Sequence, residues 1–178
     1  MPENNVAFAQ KQMKIKPKPE EMILELLDGE VKETALEFVA YLRANKLTPR
    51  YSSVNSWNVS YKGKMLCYIK IIDRTEMSTW NIAFRLEEFN REFSKRFKKA
   101  IQENLKPCTA CLKACPKGVN LTVFEKEIKN VCRGWPIQFE NPNVNTLEHV
   151  KELMEYRKNL ISTNSLPPKF FWNYNHTE

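Results

Sequence analysis

Along this chain the spacing of apolar positions switches repeatedly between a helical and a two-residue period, and each switch marks a new element. Met22, Ile23, Leu26 and Leu27 share one helix face after Glu20, and Gly29 ends that short helix. Val31, Ala35, Leu36, Val39 and Leu42 recur at helical spacing with Pro49 beyond them, which predicts a helix near Val31 to Ala44. The period then falls to two. Trp57, Val59 and Tyr61 alternate with Asn58 and Ser60, the mark of a strand with one buried face. Lys62-Gly63-Lys64 reads as a turn, Met65 to Ile72 as a second strand, Asp73 to Ser78 as a loop and Trp80 to Phe84 as a third strand. Together they predict an antiparallel meander.

Helical spacing returns at Phe89, Phe93, Phe97 and Ile101, predicting a helix from about Leu86 to Asn104. Arg91, Lys95, Lys98 and Lys99 fall on its other side, and a solvated face is preferred there to a phosphate-contacting one. Leu121, Val123, Ile128 and Val131 predict extended chain, and Ile137 and Phe139 a final strand closed by Asn141-Pro142-Asn143. Leu147, Val150, Leu153, Met154, Leu160 and Ile161 form the stripe of a last helix that opens at Asn145 or Thr146. This order predicts an α+β fold, an antiparallel sheet covered by helices. It occupies residues 20–162 as a single domain, with a cysteine-rich loop at 106–120. Residues 1–19 are polar, with Pro2, Pro17 and Pro19, and read as a flexible or loosely docked N-terminal arm. Residues 163–178 form an aromatic tail with Phe170, Phe171, Trp172 and Tyr174, expected to dock on its own domain or to serve as a partner-binding peptide.

With 178 residues, 42% of them hydrophobic, the chain can build a sizeable core. Its apolar runs are too short for a membrane span, so no membrane partner is expected. Met1 to Gln12 lacks the apolar stretch of a secretory signal, so a cytoplasmic location is expected, where thiols stay reduced. The net charge of +7 permits a protein or anionic partner without demanding one, and leaves nucleic acid as a further alternative. Catalysis finds little support. The two histidines, His149 and His176, have no local companions, and four glycines supply no phosphate-binding loop.

The chemistry is concentrated in four cysteines. Cys108, Cys111 and Cys115 are separated by two and three residues, and Cys132 follows after a gap of sixteen. Such spacing lets four thiolates converge on one tetrahedral zinc ion, a closed structural site with no position left for water. The alternative is an iron–sulfur cluster. Cys108 to Pro116 is similar to the last three cysteines and the proline of the bacterial ferredoxin run, although the first cysteine position of that run holds Leu105. Reduced, packed thiols are the plainest reading of the same residues. Cys67 falls in a predicted strand and reads as a small core residue.

The run Tyr61-Lys-Gly-Lys-Met-Leu-Cys-Tyr68 resembles a turn of the YdhG-like small α+β domains, which include frataxin-like iron chaperones. Phe139-Glu-Asn-Pro142, followed by Leu147, Val150, Leu153 and Arg157, is similar to the closing strand and helix of that family. The resemblance covers roughly residues 20 to 162, and the cysteine segment departs from it. It implies an iron chaperone whose oxygen ligands would come from Glu20, Glu21, Glu25, Asp28, Glu30, Glu33 and Glu37. An ordinary acidic helix face is the other reading of those residues. The expectation taken forward is a non-catalytic metal-binding domain with structural zinc and an interaction role. Its alternatives are an iron chaperone or iron–sulfur redox protein, and a nucleic-acid or anion-binding module.

Overall fold

The meander predicted by the alternating segments forms the centre of a wider sheet. The structure is a computed structural model and describes residues 10–74, 76–85, 89, 91–109, 118–132 and 134–163. Among them, five antiparallel strands lie side by side: β1 (Arg50–Ser53), β2 (Ser56–Tyr61), β3 (Lys64–Ile72), β4 (Thr79–Phe84) and β7 (Ile137–Glu140). A hairpin of β5 (Val119–Val123) and β6 (Lys126–Val131) forms a second, two-stranded sheet. The helices are α1 (residues 10–15), α2 (Pro19–Leu26), α3 (Gly29–Ala44), α4 (Lys95–Glu103) and α5 (Val144–Ser162). The fold is α+β, as expected. None of the described helices is long and apolar enough to cross a membrane.

One face of the large sheet is apolar. Trp57, Ile69, Trp80, Ile82, Phe84 and Phe139 are all fully buried, or nearly so, on it. α3 lies against β4 and α5 against β3. Phe38 of α3 meets Trp80 with ring centres 5.9 Å apart, and Phe84 meets Phe139 edge to face at 6.1 Å. The stripe predicted for the last helix, Leu147 through Ile161, is buried as a whole. Asn143 caps α5, its Oδ1 accepting from the Thr146 N–H at 2.9 Å.

Arg157 keeps the spacing of that apolar stripe yet is only 2% exposed. Its Nη1 donates to the Arg85 carbonyl at 2.6 Å and its Nη2 to the Met65 carbonyl at 3.1 Å. The guanidinium thus joins α5 to the start of β3 and the end of β4.

Three expectations change in detail. The helix expected over 86–104 is helical only from Lys95 to Glu103, with residues 86–88 and 90 outside the described residues. Ser94 starts it, its hydroxyl accepting from the Phe97 N–H at 3.1 Å while its own backbone is extended. Phe89 and Phe93 precede the helix, and their four-residue spacing serves a cluster instead. Phe93 stacks on Phe97 at 4.5 Å, and Phe89 lies 4.5 Å from Phe124. β1 was not foreseen, because it is an edge strand with little buried surface and no alternation.

The N-terminal segment is the third. Residues 1–9 lie outside the described residues, but α1 is tied to the sheet. Gln12, 4% exposed, donates through Nε2 to Asn55 Oδ1 at 2.5 Å and accepts from the Asn55 N–H at 2.9 Å. The Trp57 indole N–H donates to the Pro17 carbonyl at 2.8 Å. The aromatic tail expected at 163–178 lies outside the described residues from 164 on.

Replacing Arg157 with Ala strands two carbonyls and opens a cavity under α5. The Arg157→Ala chain should lose about 2–4 kcal/mol in urea unfolding; an unchanged midpoint would remove Arg157 from this role.

Candidate metal centre

The geometry of the cysteine region is set by the segment that leaves α4. Residues 104–108 run extended between β7 and β6. Leu105 bridges to Ile137 and Pro107 to Val131, both antiparallel. On either side of Pro107, the Cys108 N–H donates to the Asn130 carbonyl at 2.7 Å and the Cys132 N–H to the Lys106 carbonyl at 3.0 Å. This pattern makes Pro107 and Val131 a non-hydrogen-bonded pair, where a residue lacking an N–H leaves no ladder bond unmade.

Opposed residues of an antiparallel ladder share a face, and successive residues alternate. Pro107 and Val131 therefore take one face. Lys106, Cys108, Asn130 and Cys132 take the other. Cys108 and Cys132 become diagonal neighbours, with Cα atoms on the order of 7–8 Å apart. Both are partly buried.

Two neighbours shape the rest. Asn130 adopts a left-handed backbone with φ of 55°, a conformation asparagine tolerates. Its N–H donates to Asn120 Oδ1 at 3.1 Å and its side-chain amide to the Cys108 carbonyl at 3.2 Å. It sits where the β5–β6 register slips between Val119 and Leu121. Gly118 packs its backbone onto Cys108. A Cβ at Gly118 would stand 2.7 Å from the Cβ of Cys108 and would overlap the side chain of Asn130. The chain that departs at Cys108 is therefore back beside it ten residues later. Gly118 and Asn130 were not singled out from sequence; the one local signal was a glycine closing the cysteine-rich segment.

Of the four candidate ligands, the structure brings Cys108 and Cys132 onto one face. Cys111 and Cys115 lie outside the described residues. Among the described residues, no group of three or more His, Cys, Asp or Glu is placed to hold a metal ion. The acidic residues of α2 and α3 are in part engaged elsewhere. Glu20 takes Arg43 at 2.9 Å and Glu37 takes Lys151 at 2.9 Å. His149 turns its ring edge-on to Phe97 at 6.2 Å, a packing contact. Two cations of the 91–99 stretch also have partners: Arg91 lies 4.5 Å over the Phe93 ring, and Lys98 lies 3.5 Å from Glu92.

Cys67 is the core residue expected of it. It lies on β3 opposite Val59 and is fully buried. Burial pushes its thiol up to about 12, against an opposing pull from the Arg157 charge. Compared with protein-family models, with curated proteins and with solved structures, the chain matches none.

Two outcomes are expected. Gly118→Ala must displace Cys108 or Asn130, and should lower stability by about 1–3 kcal/mol and raise the reactivity of Cys108 toward thiol reagents; wild-type behaviour in both would contradict the close approach. The second concerns pH. The unfolded Cys67 thiol ionises near 9 and the folded one near 12, so between those values the folded chain keeps a proton that the unfolded chain releases. Stability from this group is complete below pH 9 and falls as pH rises toward 12, by about 1.4 kcal/mol per unit. Between pH 8 and 10.5 the wild-type chain should lose more stability than Cys67→Ala; equal losses would count against it.

Proposed function

We propose that this chain is a metal-binding domain in which Cys108, Cys111, Cys115 and Cys132 hold one structural zinc ion, and that it acts through interaction rather than catalysis. The observation that carries the reading is the shared face of Cys108 and Cys132 across the Pro107–Val131 bridge. Chain connectivity supplies the other two. Cys111 is three residues from Cys108, and Cys115 three residues from Gly118, which itself abuts Cys108. Three residues span at most about 11 Å, so both thiols are within reach of one centre. Four thiolates are the soft donor set that zinc prefers. A reducing, cytoplasmic setting goes with it.

The iron–sulfur alternative draws less support. Leu105, at the position of the missing ferredoxin cysteine, pairs with Ile137 and packs against the core. A YdhG-like relationship remains part of the proposal. The antiparallel sheet, the turn at Lys62-Gly63 and the closing β7–α5 unit support it.

Metal analysis of protein purified without oxygen tests the reading. A colourless protein with one zinc per chain is expected, with Zn–S distances of about 2.3 Å by X-ray absorption. Cys111→Ser should abolish the zinc and lower stability by several kcal/mol, on the order of a structural site's contribution, while the far-ultraviolet dichroism of sheet and helices persists. Brown protein containing iron and sulfide would replace zinc with a cluster. Metal-free protein with all four thiols reactive in the folded state would end the metal reading.

A further inference from the structure

The helices bury one face of the sheet, and the composition of the other face follows from register. Arg50, Asn58, Tyr68, Ala83 and Gln138 stand opposite one another in a single row across β1, β2, β3, β4 and β7. At a spacing of about 4.8 Å per strand that row is roughly 19 Å long. Tyr68 alternates with the buried Cys67 and Ile69, so this row lies on the face away from α3 and α5. Lys70 stands on the same face, one row along, and both Lys70 and Arg50 are exposed.

The middle of this face is aromatic. Trp135 stacks on Tyr68 with ring centres 5.2 Å apart and planes 23° from parallel. The Arg85 guanidinium lies 5.6 Å over the Trp135 ring. Both rings are only partly buried. The Gln138 side chain holds the Trp135 carbonyl at 2.8 Å and accepts from the Asn81 amide at 3.0 Å, which fixes the stack to β4 and β7. Past β7 the face continues. The Asn104 carbonyl accepts from the Gln138 N–H, and Lys106 then stands between Pro136 and Cys132. The face thus runs from Arg50 on one edge to Lys106 beside the cysteine pair.

Charge gives this surface a direction. Residues 91–134 hold eleven Lys or Arg and four Asp or Glu, while the remainder of the chain holds seventeen of each. All of the +7 therefore falls in the stretch of sequence that contains Lys106. Glu140, opposite Asn81, is a carboxylate on the same face at its β7 edge.

We propose that this open sheet face binds single-stranded nucleic acid, with unpaired bases stacking on the Trp135–Tyr68 pair and phosphates meeting Arg50, Lys70, Arg85 and Lys106. Aromatic rings on a sheet accept exposed bases of any sequence, and flanking cations track the backbone. An uncharged sugar ligand would use the rings and amides but not the four cations. A duplex hides its bases from the rings. The inference uses no thiol, so it stands or falls separately from zinc.

The test is fluorescence anisotropy with labelled ten-nucleotide strands of oligo-dT and oligo-U, a ten-base-pair duplex and an abasic ten-mer. The full-length chain is used, with its metal content measured. Both single strands should bind, with affinity falling as salt rises. Whichever binds more tightly tells whether DNA or RNA is the better ligand. Duplex and abasic strand should bind at least about tenfold more weakly. Trp135→Ala should weaken single-strand binding about tenfold or more. Arg50→Gln and Lys70→Gln, on exposed positions that do not support the core, should each reduce the salt slope by about one. Lys32→Gln, on α3, should change nothing. Equal affinity for duplex and single strand would overturn the proposal. So would binding indifferent to Trp135, Arg50 and Lys70, or no binding at 50 mM salt.

Discussion

The structure depends on a sheet that is apolar on one side only. Trp57, Trp80, Phe84 and Phe139 are fully buried on that side, and each contributes on the order of 1.5–3 kcal/mol by leaving water. No strand can do this alone. The burial is completed by α3 and α5, whose stripes meet the sheet over its central strands. Arg157 adds direction to this non-directional force. Its two bonds to the Met65 and Arg85 carbonyls are made in only one register of α5 on the sheet.

The cysteine region follows from how the edge of that sheet is continued. β7 pairs with β4 through residues 137–140, and its free side takes up Leu105. The segment carrying Leu105 goes on to pair with β6 through Pro107. The hairpin thus hangs from the main sheet by five residues. Its own apolar residues are few: Val123 and Val131 are buried, Leu121 and Ile128 are partly so, and Phe124 at its tip packs on Phe89. A small sheet with so little core gains most from a cross-link, and a closed thiolate site would supply one. The same alternation that turns Val131 inward turns Cys108, Cys132 and Lys106 outward, onto the polar face that also carries Tyr68. The proposed metal centre and the proposed binding face are therefore two consequences of one register.

Much of the fold was legible because local periodicity records burial. Trp57, Val59 and Tyr61 alternate because β2 has one covered face, and Leu147 to Ile161 repeat at helical spacing because α5 lies on a flat surface. The misreadings share a cause. Phe89, Phe93 and Phe97 keep a helical interval, but they gather around Phe124 and Tyr156, which come from distant segments. An aromatic cluster built from several elements copies the spacing of a helix without needing one. Gln12 gave no local sign of its burial, since its partner Asn55 lies in the turn between β1 and β2.

The residue pattern alone determined the type of most elements and the side that β2, β3 and β4 bury, and it singled out Cys108, Cys111, Cys115 and Cys132 as candidate ligands. These properties are local: they follow from side-chain character repeated over a few residues. Which residues meet was decided only in three dimensions. That Cys108 faces the same way as Cys132 requires the Pro107–Val131 pairing and the slip at Asn130. That Tyr68 finds Trp135 requires β4 to lie between β3 and β7. Hydrogen-bond pairing across long chain separations sets both, and a shift of one residue in either ladder would turn the same side chains to the opposite face.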